Sequence, residues 1–156
     1  MLDGAAMTIP YRGVTGHGAY FLSASTFMKQ CLLQSERMAM LFIDVLYSYR
    51  KQKKYLLHGF VVMPDHIHLL ITPTITLERS AQLIKGGFSF RAKRDVGIES
   101  EIWQTSFHDH RIRDADDYAR CREYIHQNPV KRGLALRPED FPYSSANPRF
   151  ELDDVP

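Results

Sequence analysis

The chain has 156 residues and a formal net charge of +2, and its apolar and charged fractions are 44% and 24%. These values are typical of a soluble globular protein, and the length fits one domain with a sizeable core rather than two. They exclude a membrane-spanning chain, because no apolar run reaches the ~20 residues that a transmembrane helix needs.

The two cysteines, Cys31 and Cys121, lie far apart, which predicts neither a disulfide framework nor a thiolate zinc site. The first ten residues, MLDGAAMTIP, lack the basic and apolar regions of a secretory signal, so we expect a cytoplasmic protein. Bases outnumber acids between Arg79 and Arg137, and an acidic tail follows from Pro138. The basic half fits a polyanionic partner such as nucleic acid, although solvated helix faces give a similar composition.

The first half of the chain predicts three strands and one helix. Alternating hydrophobicity indicates a strand over Ala19–Phe27, and Ser35 is placed to cap the amphipathic helix that follows. Two further strands are predicted at Tyr55–Met63 and His66–Thr72. Pro64-Asp65 between them is typical of a turn, so these two strands should form an antiparallel hairpin.

The second half predicts a helix, a short strand and a last helix. The helical period returns at Leu77, and Gly86-Gly87 within it indicate a bend or a close backbone approach. A short strand is predicted at His110–Arg113. Asp114 is placed to cap a final helix that runs to Asn128, where Pro129 should end it.

This order predicts an α+β protein with the ferredoxin-like (split βαβ) plan, a four-stranded antiparallel sheet with two helices on one face. The extra last helix would then lie on the other face, which is left for function. We expect residues 1–156 to form a single domain with its core at about 19–146.

His66 and His68 stand in the predicted hairpin as a His-x-His pair. On an extended strand their side chains point to the same face, whereas Ile67, Leu69 and Ile71 point to the other. Two neutral imidazoles held side by side on a rigid strand are suited to binding a divalent metal. A lone His-x-His is more often only a polar face, so this motif needs a partner elsewhere.

The last helix supplies that partner. Tyr118, Cys121 and Ile125 form its apolar stripe, whereas Tyr124 lies off the stripe and one helical turn before Asn128. If that face docks beside the histidines, Asn128 can supply a hard oxygen ligand and the Tyr124 oxygen can attack a substrate. Singly, packing explains the tyrosine and helix capping explains the asparagine.

Five segments carry a resemblance to a known family: HGFVVMPDHIHLLITP, IKGGFSF, IWQTSFHDHRIRD, YIHQNPVKRGL and PYSSA. Together they resemble the single-tyrosine HUH transposases, and among these the REP-associated tyrosine transposases. The resemblance covers roughly Tyr20 to Ala146. Its specific element is the combination of Pro-Asp-His-x-His with Tyr-Ile-x-x-Asn-Pro, since each half alone is weak.

The resemblance implies a metal-dependent enzyme that nicks single-stranded or hairpin DNA and transfers strands through a 5′-phosphotyrosine. Tyr124 then matches the nucleophile, and His66, His68 and Asn128 match the ligands of Mg²⁺ or Mn²⁺. Gln127 stays open as an alternative third ligand. Neither a membrane nor a small-molecule substrate is implied.

Several basic and aromatic residues are predicted to contact the nucleic acid through phosphates or unpaired bases. They are Lys85, Arg91, Lys93, Arg94, Trp103, His110, Arg113, Lys131 and Arg132.

Two alternatives to an active transposase stay open at this level. One is a non-catalytic single-stranded nucleic-acid-binding module, since split βαβ sheets commonly bind single strands. The other is a domesticated regulator that binds or nicks chromosomal repeats. The target sequence, the physiological metal and the choice between monomer and homodimer also stay open.

Overall fold

The elements follow one another as strand, helix, strand, strand, helix, strand and helix in a computed structural model that describes residues 18–154. The bounds are β1 (Tyr20–Ser25), α1 (Glu36–Lys51), β2 (Tyr55–Met63), β3 (His66–Pro73), α2 (Leu77–Arg91), β4 (His108–Arg111) and α3 (Ala115–Lys131). Short helical turns lie at Phe27–Lys29, Ala92–Val96 and Pro138–Asp140.

The four strands form one sheet in the order β2-β3-β1-β4, and every neighbouring pair is antiparallel. β1 and β3 are therefore the central strands, and each βαβ unit crosses over one strand of the other. This is the ferredoxin-like topology, and the fold predicted from the sequence is confirmed.

Helices cover both faces of the sheet. α1 and α2 pack on one face over the main core, whose strand residues include Leu22, Phe60 and Leu69. α3 packs on the other face through the predicted stripe of Tyr118, Cys121 and Ile125, all of which are buried. Within the described range, no helix combines the length and the apolar character that crossing a bilayer requires.

Local chemistry accounts for the helix starts. Ser35 and Asp114, both predicted caps, accept hydrogen bonds from the main-chain N–H groups three residues later, which satisfies donors that the first helical turn leaves free. The predicted close approach occurs at Gly87, where an added Cβ would lie 2.9 Å from the Tyr49 hydroxyl. Gly87 thus allows α1 and α2 to pack closely, and α2 continues through both glycines.

Three predicted boundaries were wrong. β1 ends at Ser25 rather than Phe27 because the chain turns there, and β4 is His108–Arg111 rather than His110–Arg113 because it pairs with β1 in that register. Pro129 does not end α3, which continues to Lys131. A proline in the last turn removes only one N–H donor, and the Arg132 N–H still donates to the Asn128 carbonyl at 3.1 Å.

The acidic tail is packed along β2, so the ordered packing extends beyond the expected limit at Ala146. The Val62 N–H donates to the Tyr143 carbonyl at 2.9 Å, and beyond Ala146 the Asp153 N–H donates to the Leu57 carbonyl at 2.8 Å. This segment therefore covers the outer edge of the sheet, which would otherwise expose unpaired main-chain groups.

Asp153 fixes the end of this tail, and we expect Asp153→Ala to lower the free energy of unfolding by about 2 kcal/mol. Its carboxylate accepts the Leu57 N–H at 2.8 Å and both Arg50 donors at 2.9 and 3.0 Å. Removing it leaves the half-buried Arg50 guanidinium with only the exposed Glu151, 3.7 Å away, as an ion-pair partner. Urea unfolding measures the loss, with the exposed Asp154→Ala as a matched control; equal midpoints for the two variants would contradict the assignment.

Candidate metal and DNA site

The strand register places both histidines on the face of the sheet that α3 covers. His68 pairs with Ser23 of β1 and His66 pairs with Ser25, while Ile67 points into the main core. The two imidazole centroids are 4.8 Å apart. The predicted side-by-side arrangement on one strand is therefore present.

His68 presents one ring nitrogen that nothing satisfies. Its Nδ1 lies 2.6 Å from the Ser23 hydroxyl, whereas its Nε2 is buried and has no hydrogen-bond partner among residues 18–154. The residue is 7% exposed and stacks on Phe21 with ring centroids 5.3 Å apart. A buried polar atom without a partner costs free energy, so this nitrogen is a candidate ligand atom.

His66 is oriented in a similar way by an acidic neighbour. Its Nδ1 donates to the Asp65 carboxylate at 2.7 Å, which fixes the proton on Nδ1 and leaves the Nε2 lone pair free. Burial lowers the pKa of His66, and the hydrogen bond to Asp65 opposes that shift. His66 thus has the tautomer that metal-binding histidines use.

Burial, reinforced by the charges of His66 and Lys29, lowers the pKa of His68 to about 3. The unfolded imidazole gains its proton near pH 6.5. Between about pH 6.5 and pH 3 the unfolded chain therefore binds a proton that the native state does not. The free energy of unfolding accordingly decreases as the pH is lowered through this range. For this one group the fall is up to about 1.4 kcal/mol per pH unit.

We expect the metal-free protein to show this acid destabilisation in urea unfolding at about pH 7.5, 6 and 5. His68→Gln should flatten the dependence by roughly one proton, because glutamine does not titrate. Part of the pH dependence of stability should remain in this variant, because burial also lowers the pKa values of His66 and His58. The prediction would be contradicted if the free energy of unfolding changed with pH equally in the wild type and in His68→Gln.

Tyr124 projects from α3 beside the histidines. Its ring meets the His68 ring edge-on with centroids 5.2 Å apart and the Phe21 ring at 5.8 Å. Tyr124 is nevertheless 48% exposed, because it lies off the buried stripe of the helix. Its hydroxyl is thus accessible to a substrate that reaches the two histidines.

Asn128 follows one turn later on the sheet-facing side of α3 and is 8% exposed, whereas Gln127 is only half-buried. Neither residue is among those that line the cavity in front of the histidines. The structure therefore brings together three of the four predicted site residues at the cavity, and Asn128 is not part of the lining.

The cavity has a volume of about 830 Å³ and opens between β1, β3 and α3. His66, His68 and Tyr124 line it together. Several polar and basic side chains complete the lining, among them Lys29, Gln104, His108, Arg120 and Arg132. Its size and charge suit a segment of nucleic acid backbone with a base rather than a metal ion alone.

A buried hydrogen-bonded pair, His110 and Asp117, fixes the start of α3 at one wall of this cavity. The Asp117 carboxylate accepts hydrogen bonds from His110 Nε2 at 2.8 Å and from the Arg113 N–H at 2.9 Å. Cys121 lies close enough for one ligand atom of each of Asp117, His110 and Cys121 to fall within 4.8 Å of the others. Because Asp117 is already engaged, we interpret the cluster as a structural link between β4 and α3.

Two residues that were predicted to contact DNA, His110 and Trp103, are instead buried. His110 is buried on β4 and bonded to Asp117, so it positions α3 and cannot touch DNA directly. Trp103 is 9% exposed and packs edge-on against Phe42 and Phe88 in the main core, while its indole N–H donates to the Lys85 carbonyl. Its ring therefore offers little surface for stacking.

Four other predicted contacts lie away from the cavity, on α2 and the turn that follows it. Each is engaged locally: Lys85 with the Gln104 carbonyl, Arg91 with Asp44, Lys93 with the Ser100 carbonyl, and Arg94 with Asp95. The helix that carries the first two packs on the sheet face opposite α3. These residues do not line the cavity that His66, His68 and Tyr124 share.

Of the remaining predicted contacts, Arg132 lines the cavity, and Lys131 and Arg113 are exposed on the α3 side. Sequence reasoning missed Lys29 and Arg120, which also line it. Arg120 was available as an exposed base on the same helix as Tyr124. Lys29 carried no local indication, because only the strand pairing brings the segment after β1 next to His66.

Comparison with known proteins gives a consistent result. The family model described as transposase, IS200-like, matches residues 23–128. A candidate REP-associated tyrosine transposase of Haemophilus influenzae is 38% identical over 96 residues, which cover 54% of this chain and 54% of that relative. The REP-associated tyrosine transposase of Escherichia coli K12 is 27% identical over 137 residues, covering 82% and 76%. The chain thus aligns with about half of the first relative and three quarters of the second.

Among solved structures, a REP-associated tyrosine transposase bound to a REP hairpin superposes with a TM-score of 0.70. The match has 24% sequence identity and covers 91% of this chain and 87% of the other. At that identity the likeness concerns the fold, and it extends over nearly all of both chains.

Proposed function

We propose, on the premise that the chain belongs to the IS200-like transposase family, that it nicks single-stranded DNA and transfers the strand through a covalent bond to Tyr124. The observation that carries this proposal is the edge-on approach of the exposed Tyr124 ring to His68, with centroids 5.2 Å apart. A nucleophile with an accessible hydroxyl thus lies beside a buried imidazole nitrogen that lacks a partner among residues 18–154.

The residues present fit a divalent metal. His66 and His68 each have Nδ1 engaged by a neighbour, Asp65 and Ser23, so both Nε2 atoms can act as ligands. Asn128, one helical turn after Tyr124, is proposed as the oxygen donor that completes the set, although its side chain does not line the cavity. When bound, Mg²⁺ or Mn²⁺ polarises a phosphoryl oxygen and offsets the charge that develops on it.

The chain's own part in the reaction is attack and charge neutralisation. The Tyr124 oxygen forms a bond to phosphorus, the bond from phosphorus to the 3′ oxygen breaks, and the phenolic proton passes to solvent. The released strand keeps a 3′ hydroxyl after taking up a proton. Arg120 and Arg132 in the cavity lining stabilise the charged phosphate. Attack by a second 3′ hydroxyl reverses these steps and joins a new strand.

The proposed substrate is a DNA hairpin with a single-stranded flank, as in repeat elements. The solved structural neighbour is bound to a REP hairpin. The cavity here is lined by basic side chains that suit a phosphate backbone. A stiff duplex cannot bring a phosphate into the cavity beside Tyr124 as readily as a flexible single strand can. Cleavage is therefore expected in the flank.

The test uses hairpin DNA from the repeats that flank the gene, labelled at either end, with Mn²⁺ or with a chelator. The expected result is a denaturation-resistant adduct that keeps the 3′ label and releases the 5′-labelled fragment, formed only with metal. Tight binding without an adduct on any flanking repeat would instead favour a non-catalytic binding module. An adduct that keeps the 5′ label would contradict the proposed polarity.

A further inference from the structure

The turn that follows β1 has an unusual backbone. Met28 and Lys29 have φ angles of 55° and 57°, so two successive residues with side chains occupy the left-handed region. This conformation is unfavourable for residues other than glycine, and neither asparagine nor aspartate, which tolerate it better, is present. Such strain persists only where the surroundings hold it, and it clusters at functional sites.

The surroundings do hold this turn, and they tie it to the metal-ligand hairpin. The Thr26 N–H donates to the Asp65 carbonyl at 3.0 Å, and the buried Thr26 hydroxyl lies 2.6 Å from the Gln30 carbonyl. A few residues later, the Leu33 N–H donates to the Pro64 carbonyl at 2.9 Å. Pro64 and Asp65 directly precede His66, so the turn and the histidine pair are one rigid unit.

The turn presents two kinds of side chain. Lys29 lines the cavity, and its charge is near enough to lower the pKa of both His66 and His68. Its ammonium forms no ion pair with another residue of the 18–154 range. Phe27 and Met28 beside it are exposed apolar side chains, and Met28 is 72% exposed. Exposed apolar groups next to a cation match the two parts of a nucleotide, its base and its phosphate.

The geometry points to the turn Phe27–Met28–Lys29 as a nucleotide-binding contact for the DNA strand, one that sets how the strand enters the site. Lys29 binds the phosphate next to the one that Tyr124 attacks. Met28, with Phe27, lies against a base that has left its stack. This inference rests on the proposed function, since it names the contacts that bring the DNA to Tyr124.

The experiment compares glycine variants that remove a side chain without adding strain. Lys29→Gly and Met28→Gly are made in the full chain with Tyr124→Phe, so that hairpin DNA stays uncleaved. Lys53→Gly is the matched control, since Lys53 is also an exposed lysine with positive φ, 63°. It precedes β2 at the sheet end away from His66, roughly 25 Å along the strand.

Binding is measured as a function of salt, with 2-aminopurine placed on either side of the cleavage point. Lys29→Gly should weaken binding about tenfold at low salt and reduce the slope of log K against log salt by about 0.7, the value for one single-strand phosphate. Met28→Gly should change the 2-aminopurine fluorescence at one position. Both should keep or slightly raise Tm, as glycine accepts positive φ.

Equal affinity, slope and fluorescence for the turn variants and Lys53→Gly would overturn the inference, even where the wild type forms its adduct. If Lys29→Gly lowers Tm, Lys29→Asn replaces it, because asparagine tolerates positive φ. Lys29→Arg, which keeps the positive charge, should restore the slope of log K against log salt. A wild type that binds no hairpin at all refutes the proposed function and this inference together. The two failures are thus distinguishable.

Discussion

Tyr124→Phe is expected to abolish the covalent adduct with hairpin DNA, reducing its rate of formation by more than about a thousandfold. The substitution removes one hydroxyl and keeps the ring that packs edge-on against His68 and Phe21. DNA affinity should therefore stay within about twofold, and stability should hardly change because the residue is 48% exposed. Adduct yield on a denaturing gel, beside binding measured under the same conditions, separates the two effects.

Tyr118→Phe is the matched control, because it makes the same chemical change on the same helix but within the buried stripe of α3. It should retain the full adduct yield. An adduct that persists in Tyr124→Phe and disappears in Tyr118→Phe would show that Tyr118, and not Tyr124, is the nucleophile. An adduct that persists in both variants would mean that another residue is the nucleophile, which would contradict the proposed mechanism.

The features that local pattern determines were predictable. His66 and His68 share a face because strand side chains alternate, and Asp114 caps α3 because its side chain reaches an N–H three residues on. The element order then leaves few topologies, so the ferredoxin-like sheet follows from short connections and standard pairing. The resemblance to the REP-associated tyrosine transposases is also confirmed, by relatives from two bacteria.

The features that depend on register between distant segments were not predictable. Ser23 holds His68, and Lys29 reaches the cavity, only because β1 pairs with β3 in one particular alignment. Trp103 and His110 looked like DNA contacts because aromatic and imidazole rings serve that role. Their burial follows from how the segment around β4 folds against the rest, which residue type alone does not reveal.

The second large effect concerns the metal. Mn²⁺ should raise the Tm of the wild type, since a ligand that binds only the native state adds about 2.7 kcal/mol of stability at a hundred times its Kd. His68→Ala should lose this increase and reduce metal-dependent cleavage by about a hundredfold or more, because alanine removes the proposed ligand atom, the buried Nε2 without a partner in the 18–154 range.

His126→Ala is the matched control, since His126 is a half-buried histidine of α3 that does not line the cavity. It should keep both the increase in Tm and the cleavage. If His68→Ala instead kept the full Mn²⁺ effect, the cluster of His110, Asp117 and Cys121 would be the remaining ligand set in the described range. Cys121→Ser would then abolish the effect. Loss of cleavage together with an intact Mn²⁺ response would mean that His68 acts on the DNA rather than on the metal.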